Sequence, residues 1–215
     1  MMTGPTDCIL VALILTGFFL LGSSRLAACI KIVAIQGFMV GLLPLAESGF
    51  DLTPRLAVIA VAIVGLKGFV FPHLLSRGLR ESNTSHEVQP IVGYMASVIV
   101  GAVSLVASFW LDSKLRLPVG SASQLVVPVA FSMMATGLFL IVARRTAINQ
   151  VLGYLVLENG IYAFGLAIVG DIPVLVEFGV LMDLFVAVFV MGIAIYRINR
   201  EFDHIDSDQL TSLKG

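Results

Sequence analysis

Residues 144–200 read RRTAINQVLGYLVLENGIYAFGLAIVGDIPVLVEFGVLMDLFVAVFVMGIAIYRINR. A basic pair, Arg144-Arg145, opens an apolar run with Glu158 near its middle. A break follows at Gly170-Asp171-Ile172-Pro173, and a second apolar run carries Asp183 and ends at Arg197 and Arg200. The pattern predicts two hydrophobic helices joined by a tight turn, each holding one carboxylate. An ionisable residue inside a membrane helix is costly, which makes it a candidate functional residue by default.

The rest of the chain places that hairpin in a bilayer. It has 215 residues, of which 58% are hydrophobic and 13% charged, with a mean hydropathy of +1.01. Soluble domains are about one quarter charged. One soluble core cannot hide this much apolar surface, so membrane lipid is the expected solvent. A net charge of -1 offers no basic face for nucleic acid. Cys8 and Cys29 are far apart, with no CxxC and no Cys/His cluster, so neither a metal centre nor a disulfide framework is expected. The start, MMTGPTD, lacks a basic region, and the first apolar run is expected to stay as an anchor.

Seven apolar runs are long enough to span, near 7–24, 26–46, 54–75, 91–111, 122–143, 146–170 and 174–197. The predicted fold class is all-α, a polytopic membrane protein with seven transmembrane helices, because an open sheet would strand backbone polar groups in lipid. Residues 1–121 form an amino-terminal set of four helices and 122–215 a carboxy-terminal set of three with a polar tail. Gly22-Ser23-Ser24-Arg25 reads as a tight turn. Pro54, Pro90 and Pro173 sit at or just before helix starts, where a missing N–H costs nothing. Pro128 lies inside the fifth run and is expected to bend it. Residues 76–90 are the longest polar loop.

Lys and Arg set orientation. Eight lie after runs 1, 3 and 5 or in the tail: Arg25, Arg77, Arg80, Arg144, Arg145, Arg197, Arg200 and Lys214. Three lie on the opposite side: Arg55, Lys114 and Arg116. The carboxy terminus is therefore expected in the cytoplasm and the amino terminus outside.

Counting along the helices gives depth. Glu158 lies 12 residues before Gly170, roughly 18 Å from the outer surface at about 1.5 Å per residue. Asp183 lies nine residues after Val174, roughly 13–14 Å deep. The short turn makes their helices antiparallel neighbours, so the two acids fall near one level. A carboxyl group removed from water is easier to protonate, and a second one nearby adds to this. Groups so placed suit a proton relay. Lys67 sits 13 residues into the third run, roughly 20 Å down and level with Glu158. It can pass a proton or pair with a carboxylate. Lys31 and Gln36 lie in the second run nearer the cytoplasm, and Lys31 either joins the relay or snorkels to the interface. Asn149 and Asn159 flank the Glu158 region. His73 reads as interfacial, Glu177 as reaching outer water, and Gly37-x-x-x-Gly41 as a helix-packing pattern. Glu158 and Asp183 also admit a structural reading, each hydrogen-bonded to a neighbour.

Three further stretches carry a family resemblance: Phe139-Leu-Ile-Val-Ala-Arg-Arg, then Val151-Leu-Gly-Tyr-Leu-Val-Leu-Glu-Asn, and the tail Ile205-Asp206-Ser207-Asp208-Gln209-Leu210. With Asp183 they resemble the small NuoK-type subunit of complex I and the matching Mrp antiporter subunit, over roughly residues 122–215. Extra helices before such a core resemble the layout of the hydrogenase-4 component E (HyfE) family. There are two departures. Counting from Gly153, the family's first membrane Glu would fall at Leu155, one turn before Glu158. The second acid is Asp183 rather than Glu.

The resemblance implies a membrane-arm subunit of a complex I-like, nickel–iron hydrogenase or formate hydrogenlyase assembly in a bacterial or archaeal cytoplasmic membrane. It implies a subunit that is not catalytic by itself, holds no cofactor, and carries protons or sodium laterally through Glu158, Asp183, Lys67 and Lys31. It also implies partners: antiporter-like and quinone-subunit-like membrane subunits, and indirectly a peripheral hydrogenase and iron–sulfur arm. The alternatives are a component of an Mrp-type cation/proton antiporter and a membrane scaffold. A free-standing transporter fits less well, because neither an inverted repeat nor paired broken helices are visible.

Overall fold

The computed structural model describes residues 4–47, 54–81, 91–115, 123–169 and Gly179. These residues form helices and short turns, with no strand among them. In chain order they are α1 (Pro5–Gly22), α2 (Leu26–Glu47), α3 (Pro54–Ile63), a π-helical segment (Val64–Val70), α4 (Phe71–Glu81), α5 (Tyr94–Leu115), α6 (Val126–Ala143) and α7 (Ala147–Val169). Among the described residues, six stretches are long and apolar enough to cross a membrane: α1, α2, Ala60–Arg77, α5, α6 and Ala147–Ile168. The seventh expected span, 174–197, lies outside the described residues apart from Gly179, as do Pro90, Pro173, Glu177 and Asp183.

The boundaries follow local chemistry. Pro5 stands in the first turn of α1 and Pro54 opens α3, where a proline removes only an N–H that has no intrahelical partner. Ser123 Oγ donates to Asp7 Oδ1 at 2.6 Å and accepts from the Leu125 N–H at 3.2 Å. That joins the start of α1 to the start of α6, with Asp7 in the first turn where the helix dipole favours an anion.

Two expectations need correction. Pro128 is the third residue of α6, not an interior one. The first four N–H groups of a helix lack partners in any case, so Pro128 costs no hydrogen bond and need not bend the helix. The polar loop expected from residue 76 begins later, because α4 continues to Glu81.

The helices pack through small residues, as membrane helices do. The most extensive pairing is between α6 and α7. A Cβ on Gly137 would meet the Leu157 N and Gly153 O, and one on Gly153 would meet the Ile141 N at 2.8 Å and the Gly137 O at 2.9 Å. Gly160 lies as close to Met134 and the Ala130 carbonyl. Only glycine allows this approach, which fixes the rotation of α7. By contrast, Met95, Ile99, Val103, Val106 and Trp110 on α5 are all exposed, an apolar surface suited to lipid or a neighbouring subunit.

Arg144 ends α6 and is buried, with 2% of its surface exposed. Its Nη2 donates to the Leu21 carbonyl at 2.9 Å, and its guanidinium lies 5.3 Å from the centre of the Tyr94 ring. One side chain thus ties the ends of α1 and α6 to the start of α5. Burial holds its pKa below the usual value, partly offset by Tyr94 and Cys29. Arginine stays charged even so.

Candidate functional site: a buried ion pair between the third span and α7

The third span changes helical type where the site forms. Through Val64–Val70 the turns are π-helical, and the Phe71 N–H donates to the carbonyl of Leu66, five residues back. Pro72 follows at once and has no N–H to give the carbonyl four residues back, while its ring crowds that carbonyl. Gly65 and Gly68 lower the cost of departing from α geometry. π turns inside α-helices are frequent at functional sites.

Lys67 is the central residue of that segment. A Cβ on Gly37 of α2 would lie 2.6 Å from Lys67 Cβ and 3.0 Å from the Lys67 carbonyl, and one on Gly41 would lie 2.7 Å from Val64 Cγ2. The Gly37-x-x-x-Gly41 pattern is therefore the seat of the π segment, and with it of Lys67.

From this seat Lys67 reaches α7. Its Nζ stands 2.8 Å from Glu158 Oε1 and donates to Asn159 Oδ1 at 3.1 Å. The side chains of the ion pair are 6% and 5% exposed. The Tyr162 ring, one turn further along α7, has its centre 6.0 Å from Lys67 Nζ. An ammonium has three donors and no acceptor, and here two acceptors and an aromatic ring surround it. Glu158 Oε2 is buried without a hydrogen-bond partner among the described residues. A Cβ on Gly179 would come within 3.9 Å of Glu158 Oε1. No group of His, Cys, Asp and Glu among the described residues is arranged to hold a metal ion.

The structure thus brings together Glu158 and Lys67. It leaves Lys31 exposed on α2. Asp183 lies outside the described residues. Asn159 joins the pair, whereas the Asn149 amide donates to Thr146 Oγ1 at 2.7 Å at the start of its own helix. Gln36 is buried and donates to Thr16 Oγ1 at 3.0 Å, joining α2 to α1. His73 is exposed. The sequence reading missed Tyr162; its spacing of four from Glu158 was the available signal.

Comparison with known proteins agrees with this architecture. Residues 125–215 match the family of NADH-ubiquinone/plastoquinone oxidoreductase chain 4L. An uncharacterized protein of Mycobacterium tuberculosis is 28% identical over 203 residues, covering 94% of this chain and 92% of the relative. Hydrogenase-4 component E of Escherichia coli is 26% identical over 149 residues, 69% of each chain, and that of Shigella flexneri matches to the same extent. No solved structure matches significantly. The resemblance drawn from the sequence is borne out: residues 125–215 are similar to the chain 4L family, and the chain, with its six stretches fit to cross a membrane among the described residues, is similar to hydrogenase-4 component E over 149 residues.

Proposed function

We propose that this chain is a membrane-arm subunit of a complex I-like hydrogenase assembly, without catalytic activity of its own, and that it passes protons or sodium laterally through Lys67, Glu158 and Asp183. The observation that carries the reading is the Lys67–Glu158 pair inside apolar helices. A buried ion pair contributes little net stability, and intramembrane ionisable residues mark ion routes and proton relays. When Glu158 takes up a proton, Lys67 loses its counter-charge and stays held by Asn159 and the Tyr162 ring. The uncompensated ammonium then drives the proton onward. The next acid in this reading is Asp183. It follows Gly179 by four residues, one turn on the same face in the helix that the sequence predicts there. Lys31, exposed nearer the start of α2, serves as an uptake residue. The partners are antiporter-like and quinone-subunit-like membrane subunits, with a peripheral hydrogenase arm beyond them, in a bacterial or archaeal cytoplasmic membrane.

The test uses the native complex in sealed vesicles. Glu158→Gln and Asp183→Asn keep size and hydrogen bonding but remove the titrating group. Each is expected to leave assembly and electron transfer to an artificial acceptor intact and to reduce ion translocation severalfold. The double variant is expected to be no worse than either single one, because both interrupt one route. Full translocation by the double variant in an intact complex refutes the relay and leaves a scaffold. Ion exchange without an electron donor assigns the chain to an antiporter instead.

A further inference from the structure

We propose that Tyr162 and Glu47 extend the Lys67–Glu158 pair into a hydrogen-bonded proton path toward the membrane face at which α2 and α7 end. The inference rests on the relay reading above and adds its outward branch.

Four buried oxygens carry no hydrogen-bond partner among the described residues: Gln36 Oε1, beside the α1 contact, and Glu158 Oε2, the Tyr162 hydroxyl and Glu47 Oε1, which run from the ion pair toward the ends of α7 and α2. Buried polar atoms are nearly always satisfied, by protein or by water. Tyr162 sits in an apolar cluster with Leu43, Ile63, Ala163 and Leu166. A phenylalanine would fill that space without stranding a hydroxyl, and leaving a buried hydroxyl unpaired is costly. The phenol therefore has a use other than packing.

Glu158, Tyr162 and Glu47 also form a series. Tyr162 follows Glu158 by four residues on α7, about 6 Å nearer the end of that helix. Glu47 is the last residue of α2, ten residues past the Gly37 that seats Lys67, or about 15 Å along the axis. Side chains lean toward the start of their helix, so the Glu47 carboxylate leans back toward Tyr162. Leu43, one turn before Glu47 on the same face of α2, packs in the same apolar cluster as Tyr162. Glu47 itself is half-buried, with one oxygen covered, which suits a group that meets water on one side only. Water molecules bridging these oxygens complete the path.

The step conserves atoms and charge. A proton leaves Glu158 Oε2 for a bridging water, the Tyr162 oxygen accepts a proton as its own passes on, and Glu47 receives it before release to water. Tyr162 ends as it began, a neutral phenol.

The test measures proton translocation by the native complex in sealed vesicles. Tyr162→Phe keeps the ring over Lys67 and removes only the hydroxyl, and Glu47→Gln removes the titrating group. Each is expected to lower translocation severalfold with assembly and electron transfer unchanged, and the pair together no further. Glu47→Asp, which keeps a carboxyl, is expected to recover most of the loss; recovery separates proton transfer from a structural role. If Glu158→Gln abolishes translocation while Tyr162→Phe and Glu47→Gln leave it at the native level, the relay stands and this branch is wrong. If Glu158→Gln is also silent, both readings fall together. Equal loss in Glu47→Asp and Glu47→Gln overturns the proton-transfer role of Glu47.

Discussion

Lys67 and Glu158 are 91 residues apart in the chain, yet their charged atoms meet at 2.8 Å. Each is the other's counter-charge within an apolar bundle. Removing one partner of such a pair costs about 3–5 kcal/mol, because the other is left charged and alone, whereas replacing both by apolar groups is often neutral. Lys67→Met and Glu158→Leu are each expected to lower stability by about that amount. The double variant is expected to recover most of it. Thermal or denaturant unfolding in detergent or lipid, run as a double-mutant cycle, reads the coupling.

Gly37 is expected to be intolerant of any side chain. A methyl group there would stand 2.6 Å from Lys67 Cβ, and overpacking of this kind costs about 1–3 kcal/mol. Gly37→Val is expected to exceed Gly37→Ala and to lower ion translocation with stability, since it lifts the π segment off α2. Gly17→Ala is the control. Nothing lies within 4 Å of its added Cβ, and a mid-helix Gly→Ala gains about 0.5–1 kcal/mol. Melting temperatures of the three variants check the order.

Arg144→Lys is expected to destabilise the chain although it keeps the charge. Lysine lacks the planar fork that reaches the Leu21 carbonyl and stacks on Tyr94. The loss of a charged hydrogen bond is worth about 1.5–3 kcal/mol. Because arginine does not titrate in the accessible range, the difference between wild type and Arg144→Met is expected to be flat from pH 5 to 9 by unfolding measurements.

Orientation is testable directly. With the seven spans expected from the sequence, eight basic residues fall on one side against three on the other, and a cysteine placed within residues 82–90 is then expected to be labelled only from the cytoplasmic side. One placed within 116–122 is then labelled only from outside. The reverse pattern, with membrane-impermeant reagents on intact cells and inverted vesicles, overturns the orientation.

Much of this was legible because a helix has a fixed rise. Counting residues put Lys67 and Glu158 at one level before any contact was visible. What counting cannot give is rotation. Lys67 faces Glu158 because the π turns before Pro72 set its rotation and because Gly37 lets the backbone approach. Neither cause shows in hydropathy, and Gly37-x-x-x-Gly41 looks like any small-residue pattern until its partner is known. Pro128 misled for a related reason: its effect depends on its distance from the helix start, and boundaries read from apolar runs err by a turn. Glu47 went unnoticed because at the end of an apolar run it looks like an interfacial residue, and Tyr162 because it looks like a core aromatic.

The order of synthesis adds one consequence. A ribosome makes about 5–20 residues per second, so the 91 residues separating Lys67 from Glu158 take on the order of 5–18 s to appear. A lone lysine at the centre of a membrane helix costs about 2.5–3.5 kcal/mol on insertion scales. The span that carries it, Ala60–Arg77, has the lowest mean hydropathy of the six, 1.3. During that interval this span is the one least held by lipid. It is expected to wait at the translocon or the interface, and to settle into the bilayer only when α7 arrives with its carboxylate.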